Sequence, residues 1–567
     1  MNGSAIVRCD VLVAGSGAGG MAAAVAARLH GLDVIVAEKE ALFGGTTAIS
    51  GGGLWLPNSS LARGLGAEDS PEAVRTYLEH EVGNRLDADL ADAFIAAAPR
   101  MVDFFQSRTA VQFLAAPGFP DYHPTAPGSR PGRTLRAAPY DARALGRQIE
   151  LLRPPLPQMT VLGMLAVSGE EVLHFMRATR SAASALYVSR VVSRHLLDLA
   201  VRGRGTRLTN GNALAARLLR AGLDAGVSLW NSSAVDELIT DGGRVVGAVV
   251  RRPGGSVRVE CRRGVVLACG GFPANDEMRT RIFPHPSARV RHWWPGPPGN
   301  TGDGIRLGES VGGAIRNDHT NVAAWTPFSL VPVAGGGVAP FPHFVDRGKP
   351  GIIAVGPDGR RFVNESNSYH DVVEALLARS GEGSDVHAFM IADRRAIRRY
   401  GLGFAKPFPF PLQPYLRSGY LVSGASLREL AGRLGIDADA LEETVRRFNG
   451  HARDGADPEF GRGQNVYNRY MGDPFHTPNP CLAPLETPPF YAVRLVPGEL
   501  ATFPGLAVDR FARVVDGQRK PIGGLYAAGN DMASIMGGGY PGPGITLGPA
   551  MTFGYIAGNH LAGIEEP

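Results

Sequence analysis

The apolar positions at the start of the chain change period twice within forty residues. "CDVLVAG" (9–15) is a continuous β-branched run, the pattern of a strand buried on both faces. "GSGAGG" (15–20) interrupts it, and "MAAAVAARLHG" (21–31) then reads as a helix ended by Gly31. A second strand-like run, "DVIVAEKE" (33–40), carries Glu38 at its end. Further along, "SAVDELI" (233–239) with the turn in "TDGGRVVGAVV" (240–250) predicts a hairpin, and "GVVLACGGF" (264–272) and "GLYAAGN" (524–530) predict buried strands. "GRRFVNESNSYHDVVEALL" (359–377) predicts a strand, a turn and a helix capped by Ser366 or Ser368, with Tyr369 in its first turn. "ITLGPAMTFGYIAG" (545–558) predicts a helix starting just after Gly544. Residues 150–205 predict a proline-stiffened loop and two helices, and "KPFPFPLQPYLRSGYL" (406–421) a loop or lid over a cleft.

The first unit has a chemistry. Gly15 permits a tight turn, Gly17 lets backbone amides reach a pyrophosphate, and Gly20 lets the helix pack closely on the strand. The helix N-terminus supplies positive dipole, and Glu38 is placed to accept hydrogen bonds from ribose hydroxyls. A lone G-x-G-x-x-G is weak evidence, but the complete strand, turn, helix, strand and acid predict a bound dinucleotide. The chain continues into "LFGGTTAISGGGLWLPNS" (42–59). Its glycine runs suit passage alongside a large planar ring, with Thr46, Thr47 and Ser50 bonding phosphate and a ribityl chain. A glycine-rich surface loop is the plain alternative.

Composition narrows this reading. A chain of 567 residues is long enough for two domains, and 44% apolar with 20% charged residues is a folded protein, neither disordered nor fibrous. The 75 glycines are clustered, which excludes collagen and suggests close backbone approach to a ligand. The net charge of +5 is not gathered with interleaved aromatics, so no nucleic-acid partner is expected. Cys9, Cys261, Cys269 and Cys481 are distant in sequence, with no Cys-x-x-Cys, and read as reduced core residues of a cytoplasmic protein. No metal site is expected. The first apolar run has neither a basic leader nor a cleavage site, so it is not read as a signal.

In this order, the blocks resemble the flavoprotein superfamily of fumarate reductase and succinate dehydrogenase. Within it, "GGTTAISGGGLWLPN", "RFVNESNSY", "RFNGHARDGADPEFGRG", "YMGDP" and "YPGPGITLGPAMTFGY" resemble the 3-ketosteroid Δ1-dehydrogenases, over most of the chain except about residues 130–210. The resemblance implies FAD and an α/β fold. A Rossmann-like FAD-binding domain is split in sequence, 1–326 (with a helical insertion at about 150–205) and 498–567, around an inserted α+β catalytic domain, 327–497. It implies cofactor contacts from Gly15, Gly17, Ala18, Gly19, Gly20, Glu38 and Lys39 in the first unit. Gly45, Thr46, Thr47, Ser50, Gly51 and Gly52 follow, then Ala234, Gly270 and Asp303, and finally Gly529, Asn530, Gly544, Thr546 and Leu547. The helix after Gly544 would point its positive end at the flavin ring.

By the same resemblance, the Tyr540 hydroxyl and the Gly544 amide bind a C3 carbonyl, the prolines of "PGPG" fixing their separation. Tyr369 is then the base at C2, its pKa lowered by the helix end and by His370. Tyr122, in "GFPDYHPTAPG", assists it, and the C1 hydrogen passes to flavin N5. Packed aromatics are the structural alternative for all three tyrosines. The expected partners are a 3-ketosteroid or similar cyclic ketone and an electron acceptor, a quinone among the candidates. Reduction of a dicarboxylate or enoate is the second reading, with Arg347 of "DRGKPG" as its acid; "HPT" (123–125) echoes a carboxylate-binding motif but stands outside its expected place. A smaller cyclic ketone is also open. Arg190, Arg194 and Arg202 lie along one predicted helix face. That suits a solvated cap, the weightier option, or peripheral contact with an anionic membrane.

Overall fold

A computed structural model describes residues 6–165, 170–283, 286–379 and 385–565. Its larger sheet has eight strands, with the core order Ser228–Trp230, Val34–Ala37, Ile6–Ala14, Gly255–Leu267, Arg244–Arg252 and Ala234–Asp241. Ile6–Ala14 is central and parallel to both neighbours, and Val11 to Ala14 are buried because the layer is covered on both faces. The long strand Gly255–Leu267 serves two partners along one edge. Its first half pairs with the expected hairpin, Ala234–Asp241 and Arg244–Arg252, and its last residues pair in parallel with Pro521–Ala527. The end of the chain thereby completes a sheet begun by residue 6.

The helix of the first unit (Ala18–Leu29) packs against the final helix (Leu547–Leu561). Their backbones nearly touch. A Cβ added at Gly554 would stand 2.2 Å from the Gly19 carbonyl oxygen, and one at Gly558 2.6 Å from that of Ala23. The helix expected just after Gly544 begins at Leu547, following a turn.

The second sheet is antiparallel, in the order Val338–Pro342, Ala323–Pro332, Phe490–Thr502, Ala388–Ala392 and Ile352–Val355. Period-two patterning divides its residues between two cores: Ile352, Ala354, Ala388 and Met390 face one, Ile353, Val355, Phe389 and Ile391 the other. The expected domain junctions at 326/327 and 497/498 fall inside the strands Ala323–Pro332 and Phe490–Thr502, both of the second sheet. One expectation needs correction. Residues 406–421 do not line the cavity: Leu412, Tyr415, Tyr420 and Leu421 pack on a core of the second sheet. Cys9 and Cys261 are free and buried as expected, and their strands pair in register and set the thiols 3.8 Å apart.

Candidate active site

A cavity of about 1390 Å³ runs between the two sheets. That exceeds the space one small ligand needs. Its first wall is almost side-chain-free. Gly15 takes φ +105°, and a Cβ there would lie 2.2 Å from the Ala268 carbonyl oxygen. Gly17 begins the helix Ala18–Leu29 and has no capping side chain of its own, and the first turn faces the cavity along Gly17, Ala18 and Gly19. Gly20 is turned away and allows the helix to lie on the strand, as a Cβ there would meet the Gly15 oxygen at 2.1 Å. Glu38 reaches the wall with Oε2 accepting from the Ser16 amide (3.0 Å) and hydroxyl (2.6 Å). Lys39 pairs with Asp303 at 2.5 Å, both on the wall.

Gly45, Thr46, Thr47, Ser50, Gly51 and Gly52 line the next stretch. Thr47 Oγ1 accepts from the Ala18 amide (2.9 Å), which ties this stretch to the first turn. A Cβ at Gly51 would meet nothing within 4 Å, so the wall is bare where a flat ring would lie. Gly270, Gly529, Asn530, Gly544, Thr546 and Leu547 also face the cavity. Ala234 does not; alternation along its strand presents its neighbours Ser233 and Val235 instead. Bare glycine walls and two uncapped helix starts, at Gly17 and Thr546, fit an anionic dinucleotide carrying a planar ring.

The opposite wall is built from hydroxyls. Tyr369 OH donates to Tyr540 OH at 2.8 Å. The Tyr122 ring lies 5.5 Å from both rings, and a fourth tyrosine, Tyr467, lies 4.9 Å from Tyr122. All four are buried and all four face the cavity. The loop around Tyr540 is rigid because its carbonyls are individually held. Pro541 O accepts from the Tyr122 amide (3.0 Å) and the Tyr77 hydroxyl (2.6 Å), Pro543 O from Thr134 Oγ1 (2.9 Å), and Gly544 O from the Trp55 amide (3.0 Å). Gly544 takes φ +93°, which brings its amide to the Tyr540 hydroxyl oxygen. Burial pushes the Tyr540 phenol up to about 12, the Tyr369 hydroxyl and this amide partly offsetting the rise.

Tyr369 opens the helix Tyr369–Ala378, whose N-cap is Ser368, and Asp371 pairs back to the Ser368 hydroxyl at 2.6 Å. The preceding turn hangs on a buried ion network. Arg361 spans Glu365 (2.8 Å) and Asp457 (2.9 Å), while Arg462 reaches Glu365 (3.1 Å) and Ser366 (3.0 Å). Burial alone would raise the Glu365 carboxyl, but the two guanidiniums hold it at about 2. The expected lowering of the Tyr369 pKa is corrected: burial, then Tyr540, push the phenol well up, and the Tyr122 hydroxyl opposes them only in part. His370 cannot help. Burial lowers its pKa, and its Nδ1 accepts from the Trp325 amide at 3.1 Å.

His123 sits between Glu81 (2.5 Å) and Asp371 (3.3 Å). Burial would lower its pKa, but the two carboxylates raise it to about 10, so the imidazolium clasps the Tyr122 loop to the Tyr369 helix. It is not free to take a substrate carboxylate. Arg347 is likewise committed: its buried guanidinium donates to the carbonyls of His343, Phe344, Glu365 and Asn367, outside the cavity wall. The insertion adds Leu156, Met159 and Leu173 to the lining. Tyr467 was missed in the sequence, although Tyr467 and Tyr470, three apart on the helix Val466–Met471, offered a same-face signal.

A glycine-walled dinucleotide cradle facing a cluster of tyrosines defines an FAD-dependent oxidoreductase. The chain belongs to the FAD binding domain family, whose pattern matches residues 10–547, and within it to the 3-oxosteroid 1-dehydrogenase branch. It is 42% identical over 560 residues to a 4-oxocyclohex-2-ene-1-carboxylate 5-dehydrogenase of Sinomonas cyclohexanicum, covering 98% of this chain and 94% of that one. It is 38% identical over 565 residues to a 3-oxosteroid 1-dehydrogenase of Mycobacterium tuberculosis, covering 98% of both. A crystal structure of 3-ketosteroid delta1-dehydrogenase from Sterolibacterium denitrificans, in complex with 1,4-androstadiene-3,17-dione, superimposes with a TM-score of 0.89 at 38% identity, over 98% of this chain and 99% of that one.

Proposed function

We propose that this enzyme desaturates the carbon–carbon bond next to a ring ketone, giving a conjugated enone. The observation that carries the reading is the convergence of the Tyr540 hydroxyl, the Gly544 amide and the Tyr369 hydroxyl on one point of the cavity. Tyr540 and Gly544 grip the ketone oxygen and stabilise the negative charge it gains as the neighbouring carbon loses a proton. Tyr369 takes that proton. Because burial keeps it a phenol, it must first release its own proton to solvent, and the Tyr122 hydroxyl beside it assists by hydrogen-bonding to the tyrosinate that then accepts from carbon. The glycine wall and both helix N-termini would hold FAD, which when bound would supply the two-electron acceptor for the hydrogen on the next carbon.

The names of the relatives offer two substrate classes, 3-oxosteroids and oxocyclohexane carboxylates, and this reaction serves both. Dicarboxylate reduction loses its ground with Arg347 and His123 both engaged elsewhere. The FAD-binding segments 1–326 and 498–567 and the catalytic segment 327–497 take their roles from the same reading. For the insertion we favour the solvated cap, since Arg194 pairs with Asp141 (3.2 Å) and Arg202 with Asp198 (4.0 Å). No helix among the described residues is long and apolar enough to cross a membrane.

The test is anaerobic mixing of the yellow enzyme with saturated ring ketones. Loss of flavin absorbance, with the enone as product, is expected. An enzyme that no ketone bleaches, but whose reduced form an unsaturated acid reoxidises, overturns the reading.

A further inference from the structure

The charges around the cavity are distributed unevenly. At the dinucleotide end the acids have partners: Glu38 holds Ser16, and Asp303 holds Lys39. Glu171, also on the lining, is paired with Arg207 at 2.7 Å. On the tyrosine side three cations face the cavity, Arg136, Lys349 and Arg469, and among the described residues none has a carboxylate at ion-pair distance. Lys349 Nζ is buried and donates only to the carbonyls of Met471 (2.8 Å) and Gly472 (2.7 Å); burial pulls its pKa down to about 8. Arg136 is half-buried, its guanidinium 5.2 Å from the Phe119 ring centroid and bonded to the Tyr470 hydroxyl at 3.2 Å.

The strand Thr134–Ala137 gives Arg136 a defined place. Thr134 Oγ1 bonds the carbonyl of Pro543, the residue before Gly544, and Arg136 projects from the same face two residues on, about 7 Å further along. A guanidinium and a phenol thus line the same cavity as Tyr540 and Gly544, the guanidinium on the strand that bonds the loop carrying them.

Resting on the reaction proposed above, we propose that the substrate is an anionic ring ketone, a cyclohexanone bearing a carboxylate across the ring from its carbonyl, with Arg136 and Tyr470 binding that carboxylate. Lys349 and Arg469 add positive potential around the same end. A neutral steroid leaves all three cations without a counter-charge.

The holoenzyme is assayed with 4-oxocyclohexane-1-carboxylate, its methyl ester and 4-androstene-3,17-dione. The carboxylate is expected to exceed the ester in kcat/KM by on the order of 10- to 100-fold, the worth of a charge-assisted hydrogen bond in a partly buried site. Arg136→Gln collapses that ratio towards one. Should this variant lose its flavin, Tyr470→Phe decides, with a smaller fall in the same ratio. Equal use of ester and carboxylate by the unaltered enzyme overturns the carboxylate site, as does a ratio that survives both variants. Flavin bleaching by the ester or the steroid alone also overturns it, while the reaction stands; bleaching by none of the three overturns the reaction itself.

Discussion

The two walls of the cavity solve opposite problems. The dinucleotide wall is recognised by what it lacks, side chains, and its contacts come from backbone amides and short hydroxyls in contiguous stretches such as Gly15–Gly20 and Gly45–Gly52. The opposite wall is four phenols brought from four separate segments, each held by its own support: the Pro541 carbonyl for Tyr122, the Ser368 cap and the Arg462 network for Tyr369, the helix Val466–Met471 for Tyr467, and the pinned PGPG loop for Tyr540. Binding of an invariant cofactor needs close approach, which glycine gives. Proton removal needs hydroxyls fixed to fractions of an ångström, which takes supporting layers.

The division of labour is most sharply tested by Tyr369→Phe. It should lower turnover by ~10²- to 10⁴-fold while flavin absorbance stays at full stoichiometry; variants that keep turnover, or that lose flavin, break the comparison. Arg462→Met removes one partner of a buried charge network and should cost about 3–5 kcal/mol in denaturant unfolding. Tyr540→Phe removes one of the two donors proposed for the ketone oxygen and should cost ~10²- to 10³-fold in kcat, measured by stopped-flow bleaching. Acid sharpens the comparison further. Glu365 titrates at about 2 in the folded protein against 4.5 ordinarily, so its contribution is complete above 4.5 and is lost as pH falls towards 2. That is roughly 3 kcal/mol, visible as a falling melting temperature across that window. The smallest effect is Ser368→Ala, which uncaps the Tyr369 helix for about 1 kcal/mol in stability.

The same contrast explains what was legible beforehand. The cradle is written locally: turn glycines, an uncapped helix and Glu38 follow one another at spacings that a strand and a helix dictate, so the unit could be read without a fold. Tyr369 and Tyr540 were readable because each sits in a local device, a capped first turn and a proline-locked loop. Tyr467 was not, since its role comes from Tyr122, some 345 residues away in sequence. The phenol pKa was misjudged for a related reason. A helix dipole is visible in sequence, but the burial that outweighs it at Tyr369 comes from Phe344, Tyr122 and Tyr540, which only the fold assembles. Arg347 showed the converse: a suggestive neighbourhood in sequence, and a guanidinium spent on main-chain carbonyls in space.

The last strand and last helix close against the first, and that has a consequence for synthesis. A ribosome that has delivered five hundred residues has made the glycine turn but neither Pro521–Ala527 nor the helix that covers Gly19. Until those emerge, the nascent protein presents the bare edge of Val265–Leu267 to whatever strand or chaperone reaches it first. The cavity wall is therefore closed only once residues 529–547 are made, and removing them takes away as much of the lining as deleting the opening motif.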